Sequence, residues 1–262
     1  MSRVGRIRAS VRAAALSFLR RRTAVFFTFL FPLLIVLIFG ALVQTQPTGG
    51  GLFTEPAGYY VPGYLAVVVL FTPLSRVGSE VARHREGNRF EKLATTPLRR
   101  WEWLLAQTIV NILVIGLAAL LLLGLLVVVT GPEIYFSPLL VPFVAFAVAL
   151  FCGVGALLGS IADSQDGVIA ASNALALPLL FLSETFVPPS MLPEWFRPLL
   201  DLSPLTYFSR GVRAATFDHP SLVDGVVLDS FGGHDPLVNL GILCALAALA
   251  MGLGAFALPR TD

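Results

Sequence analysis

The stretch EVARHREGNRFEKLATTPLRR, residues 80–100, holds six of the eighteen Lys and Arg residues of the chain, including its only lysine, Lys92. Apolar runs flank it on both sides. A cation at mid-bilayer costs about 2.5–3.5 kcal/mol. The seven cations between positions 76 and 103 therefore cannot be submerged, and if the flanking runs cross a membrane this stretch is a loop outside the hydrocarbon. The rest of the chain supports that condition. Of 262 residues 56% are hydrophobic and 13% charged, with a mean hydropathy of +0.82, against about 25% charged in soluble proteins. No polar remainder is long enough to build a separate soluble domain, so residues 1–262 are expected to form a single integral membrane domain.

About 20 apolar helical residues cross a hydrocarbon core roughly 30 Å thick. Six segments approach this length: 24–43, 59–75, 104–130, 139–161, 168–187 and 237–258. The second is short and holds Pro62 and Pro73, and its helix is expected to continue past Arg76; the fifth contains one charge, Glu184. Segment 24–43 is longer than the apolar region of about 7–15 residues in a cleaved signal peptide and reads as the first span. The fold class expected is all-α, with six transmembrane helices.

Charge placement orients this plan. The N-terminal segment carries seven cations, the loop at 76–103 seven and the C-terminus one, whereas loops 44–58 and 131–138 carry none and 188–236 three. Cytoplasmic loops are the ones enriched in Lys and Arg, so both termini are expected in the cytoplasm of a multi-pass protein. Tyr59, Tyr60, Tyr64 and Tyr135 then fall near outer ends, and Trp101 and Trp103 near an inner one, as in an aromatic belt. Cys152 and Cys244 lie within apolar runs and read as small packing residues.

Inside the charged loop, Gly87 and Asn88 break the helix descending from the second span. Asn88 with Glu91 fits a capping box for a new short helix, in which Phe90, Leu93 and Ala94 share one face. Thr96–Pro97 fits an N-cap and first turn for the helix that carries Trp101 and Trp103 into the third span. A short transverse helix with an apolar face and charged rim suits docking into a groove on another protein; an ordinary positive-inside loop resting on headgroups is the alternative reading.

Together with the six-span plan, EGNRFEKLATTPLRRWEWLLAQ and, at 181–213, FLSETFVPPSMLPEWFRPLLDLSPLTYFSRGVR resemble the membrane subunits of ABC-2 type transporters, over nearly the whole chain. The resemblance implies that the short helix is a coupling helix, with Arg85, Glu86, Asn88, Arg89, Phe90, Glu91 and Leu93 meeting a cytoplasmic ATPase subunit. It implies a homodimer or pairing with a similar permease, in the plasma membrane. It also implies an exit route past Glu184, Trp195, Tyr207, Arg210 and Arg213, with re-entrant outer helices. Glu184 departs from the small residue that similar chains often carry there; it is expected to be solvated or paired with Arg210.

The N-terminal stretch RVGRIRASVRAAALSFLRR places Val4, Ile7, Val11, Ala14, Ala15 and Phe18 on one side of a helix, with most arginines opposite, the pattern of an amphipathic helix lying on anionic membrane lipids. By resemblance it is the connecting helix that touches the ATPase, and no nucleic-acid partner is expected. The segment 184–213 is too rich in proline to span and too apolar for a solvated loop; irregular backbone at membrane depth is tolerated only inside protein or beside a cavity. Gly155 and Gly159 form a GxxxG that permits close helix approach, or lines a pathway. Asn111 and Asn173 within spans are read either as structural hydrogen-bond partners or as pathway-lining residues. His219 and His234 beside acidic residues read as surface polarity rather than a metal site.

A P-loop requires GxxxxGK[ST], and Lys92, between Glu91 and Leu93, cannot belong to one. Any ATP and magnesium are therefore expected on a separate subunit, with no cofactor on this chain and no catalytic residue. The resemblance implies export, and an apolar, phenylalanine-rich chain suits a lipophilic or glycan-type substrate. The scarcity of ionisable residues within spans argues against an ion-coupled carrier, which with a channel is the alternative class.

Overall fold

The computed structural model describes residues 3–38, 57–130, 137–185, 192–216 and 235–259. In chain order the helices are α1 (Arg3–Leu19), α2 (Arg22–Val36), a 3-10 turn at Ala57–Tyr60, α3 (Val61–Glu86), α4 (Arg89–Ala94), α5 (Arg100–Thr130), α6 (Leu140–Ile161), α7 (Gln165–Phe181), α8 (Arg197–Leu200), α9 (Pro204–Thr216) and α10 (Pro236–Ala257). Among the described residues all regular structure is helical. Four helices, at Gly58–Glu86, Arg100–Val128, Leu140–Ile161 and Pro236–Ala257, are long and apolar enough to cross a membrane, and the apolar helices α2 and α7 are shorter. Parts of segments 24–43 and 168–187 lie outside the described residues, as do Tyr135, His219 and His234.

Helix α6 lies at the centre, packed between α3 and α10, because small residues let the backbones meet. A Cβ on Gly155 would lie 2.5 Å from the Leu74 carbonyl oxygen, and one on Gly159 would lie 2.3 Å from that of Gly78. On the other side of α6, a Cβ on Gly153 would lie 2.4 Å from the Ala250 backbone. The GxxxG of the sequence is thus an inter-helix seam, the packing role rather than a lining one.

Helix α3 begins with Pro62 in its first turn and runs unbroken through Pro73 to Glu86, so the second span is longer than 59–75 and continues past Arg76. Tyr59 and Tyr60 are 1% exposed and Tyr64 is buried. They are core residues and not a lipid-facing belt: the Arg213 guanidinium lies 3.9 Å over the Tyr59 ring. Trp101 is exposed, whereas Trp103 is buried. Helix α1 turns Ala14 and Phe18 inward and leaves Val4 at its start exposed. The proline-rich segment ends in α8 and α9, and α9 lays Leu205, Phe208 and Val212 on the far end of α3, α6 and α10.

Candidate functional site

At one end of the bundle the charges of the opening stretch reach helix termini. A helix leaves its first N–H and last C=O groups without partners and carries a partial charge at each end. Arg85 donates to the Gly159 and Ala162 carbonyls at the end of α6, at 3.1 and 2.8 Å. Its neighbour Glu86 accepts from the backbone N–H of Gln165 at 3.1 Å and from the Gln165 side chain at 3.2 Å, at the start of α7. Arg100 donates to the Leu258 carbonyl just beyond α10 at 2.6 Å. The fully buried Glu102 accepts from the Arg99 backbone N–H at 3.0 Å, at the start of α5. Arg6 of α1 grips the same carboxylate with Nε at 3.1 Å and a terminal nitrogen at 2.6 Å, and that hydrogen bond raises the Arg6 pKa. Cations meet helix C-termini and carboxylates meet N-termini, so side chains from one short stretch and from α1 tie α3 to α6 and α7, and α5 to α1 and α10.

Helix α4 hangs from this framework. Asn88 precedes it at φ 48°, ψ 34° and makes no side-chain cap hydrogen bond, so the capping box expected from Asn88 and Glu91 is not formed. Asn tolerates the left-handed region better than most residues, and the reversal at Asn88 swings Phe90 inward. There Phe90 contacts the His84 and Trp103 rings at centroid distances of 5.3 and 5.5 Å, and those two rings also meet each other at 5.3 Å. Phe90 is buried and Leu93 partly so, while Arg89, Glu91 and Lys92 are exposed. The apolar face therefore anchors α4 to α3 and α5, and the outward face is polar. Thr96 does not cap α5 either: its hydroxyl donates back to the Leu93 carbonyl at 2.6 Å, and α5 starts at Arg100.

Between α1, α2, α3 and α5 at this end lies a half-open cavity of about 880 Å3. Arg76, half-buried, reaches it from within continuous helix. It donates to the Asn111 side-chain oxygen at 3.3 Å and lies 4.2 Å over the Phe18 ring. Asn111 also donates to the Gln107 carbonyl at 2.9 Å, which gives it the structural role. Ile7 and Val11 are partly buried on the same side of α1 as Phe18. Asn173 is exposed on α7, in a stripe with Ile169, Leu177 and Phe181 that no helix among the described residues covers.

The opposite end is closed by a second constellation. Glu184, buried at φ 55°, accepts two hydrogen bonds from Arg210 at 3.2 and 2.5 Å, and Arg210 also meets Asp201 at 2.8 Å. Burial alone would lower the Arg210 pKa, but the hydrogen bonds and charges of Glu184 and Asp201 outweigh it and raise it. Arg213 donates to the Glu184 carbonyl at 2.8 Å. The sequence reading missed a ladder of hydroxyls: Ser203, Thr206 and Ser209, three residues apart, donate to the carbonyls of Leu179, Leu182 and Ser183 at 3.3, 3.1 and 2.5 Å. Three-residue spacing puts those hydroxyls on one face of α9, where they satisfy the open carbonyls at the end of α7. Tyr207 donates to the Asp201 carbonyl at 2.8 Å, and Trp195 is exposed.

Several apolar helices around a small-residue seam, with one end dense in charge, define a multi-pass helical membrane protein. The chain belongs to the ABC-2 type transporter family, whose model matches residues 5–217. It is 25% identical over 234 residues to the daunorubicin resistance ABC transporter permease protein DrrB1 of Streptomyces coeruleorubidus, covering 86% of this chain and 77% of that protein. It is 23% identical over 155 residues to the probable multidrug ABC transporter permease YbhR of Escherichia coli K12, covering 58% and 41%. It is 26% identical over 148 residues to nodulation protein J of Sinorhizobium fredii, covering 56% and 51%, so those matches span about half the length of the latter two proteins. The chain is a membrane component of a transporter of this family, a permease.

Proposed function

We propose that the chain is the membrane subunit of an ATP-driven exporter in the plasma membrane, with six spans, both termini cytoplasmic, and ATP and magnesium bound by a separate ATPase subunit. The observation that carries this reading is the way α4 is held. A six-residue helix with a polar outward face is wedged by Phe90 between His84 and Trp103. It stands beside residues that grip the ends of α5, α6, α7 and α10, so a push on α4 is delivered to the spans instead of being absorbed by a loose loop. Glu91 and Lys92 would then meet the ATPase, with Phe90 and Leu93 transmitting its movement. Arg85 and Glu86 would act one step further in.

The exposed stripe Asn173, Leu177 and Phe181, beyond the cavity-lining Ile169, supports pairing with a second permease across α7. The proline-rich end, with α8 and α9, would form the re-entrant outer segment past which substrate leaves. The relatives' printed names, daunorubicin resistance and multidrug transport, favour a lipophilic substrate, and lipid-linked glycans share its amphiphilic chemistry.

Two measurements test the reading. A single cysteine at Lys92, in a background lacking Cys152 and Cys244, should be labelled only from the cytoplasmic side; labelling from outside contradicts the topology. Phe90→Ala with Leu93→Ala should leave the ATPase bound and hydrolysing while export falls; undiminished export removes the coupling role.

A further inference from the structure

The cavity at the charged end carries more positive charge than its surroundings neutralise. Arg21, Arg76 and Arg89 line it, against one carboxylate, Glu80. Glu80 is already engaged by Arg21 at 3.3 Å and by Arg83. Among the described residues no carboxylate lies within ion-pair distance of Arg76 or Arg89; Arg76 is held only by the Asn111 amide and the Phe18 ring. Burial first, and the charge of Arg89 second, lower the Arg21 pKa; a bound anion would relieve the second. The rest of the wall mixes apolar side chains with hydroxyls and an amide, Ser75, Ser79 and Gln107 among them; Phe27 and Ile169 line the cavity and are exposed, so part of its rim is apolar. The volume of about 880 Å3 is near the upper part of the range of roughly 300–1,000 Å3 for small-molecule pockets. That is far more than an inorganic phosphate fills and enough for a phosphodiester with its glycerol.

We infer that this cavity is a binding site for an anionic membrane phospholipid, whose phosphate meets Arg76 and Arg89 while its acyl chains leave past Phe27 and Ile169. Basic pockets between helices at the cytoplasmic side of a membrane take anionic headgroups for this reason. The site joins α1 to α3 and α5, so an occupied cavity fixes the interfacial helix against the framework that holds α4. The inference rests on the topology proposed above, which places this end at the inner leaflet.

Trp103 lines the cavity and reports on it. In the full chain with Trp101→Phe and Trp195→Phe, Trp103 is the last of the three tryptophans. Reconstituted into phosphatidylcholine nanodiscs, it should be quenched more by phosphatidylglycerol brominated on its acyl chains than by equally brominated phosphatidylcholine. The preference should be on the order of fivefold in apparent affinity for each arginine not otherwise neutralised. Arg76→Gln with Arg89→Gln should abolish the preference, and Arg89→Gln alone, at an exposed position, should reduce it without endangering the fold. Equal quenching by both lipids, or a preference that survives both substitutions, overturns the site. Relief of quenching by millimolar inorganic phosphate would make it a site for a small soluble anion and overturn the lipid assignment. The measurement requires no ATPase, so the absence of an ATPase partner would defeat the exporter reading without altering this result.

Discussion

The two ends of the bundle handle the same residue type in opposite ways. At the proline-rich end Arg210 is neutralised by Glu184 and Asp201, while Arg213 is buried against a backbone carbonyl and the Tyr59 ring. At the charged end some cations are likewise absorbed, by helix termini and by Glu80 and Glu102, but among the described residues Arg76 and Arg89 around the cavity have no carboxylate partner and the face of α4 is left polar. An end with balanced charges is a lid that costs energy to open. An end with a charge surplus is a surface made to meet something else, a headgroup or another protein.

Substitutions can break this contrast. The largest effect is expected from Arg210→Ala, which leaves the Glu184 carboxylate buried without its partner; losing half of a buried pair costs about 3–5 kcal/mol. Thermal denaturation in detergent should show the loss, and Arg210→Lys should recover only part of it, because one ammonium cannot reproduce the forked contact. Gly159→Ala comes next: its Cβ would fall 2.3 Å from a backbone oxygen, and overpacking costs about 1–3 kcal/mol. The same thermal assay should register it, with Gly116→Ala, where a Cβ meets nothing within 4 Å, as the silent control on α5.

At the charged end the effects on stability are smaller and those on function larger. Asn88→Ala forces an ordinary residue into the left-handed region at about 1–2 kcal/mol. It should lower transport more than stability, while Asn88→Gly, free of that strain, should keep both. Equal loss in the two variants would mean that the Asn88 side chain, not its backbone, is what matters. Arg6→Gln should cost part of what Arg210→Ala costs, since the fully buried Glu102 loses its charge partner but keeps its hydrogen bond from the Arg99 backbone. It should raise protease sensitivity at the start of α1, which that forked contact ties to α5.

Much of this was legible in the amino-acid sequence for a physical reason: apolar length, cation placement and small-residue spacing are set locally, along one helix at a time. Gly155 with Gly159 indicated close packing, and pairing with Arg210 was one of the two expectations for Glu184, solvation being the other. What stayed hidden depends on which residues meet across the fold. Asn88 and Glu91 have capping-box spacing, yet packing of Phe90 against His84 and Trp103 turns Asn88 left-handed instead. Nothing in sequence links Arg6 to Glu102, 96 positions away. The family resemblance made Arg85 and Glu86 coupling residues, and nothing in the sequence showed that they also meet the ends of α6 and α7. The tyrosines at 59, 60 and 64 match an aromatic belt by position, but the Arg213 guanidinium and α9 cover them.

The central claim is that the charged end is where an ATPase drives the spans, and its most direct test is affinity capture of the tagged chain from its native membrane in mild detergent. A P-loop ATPase should be recovered in stoichiometric amount, lost when Glu91 and Lys92 are replaced by alanine, and retained when only Phe90 is. A clean permease without an ATPase in several mild detergents would contradict the account and point to a channel or carrier.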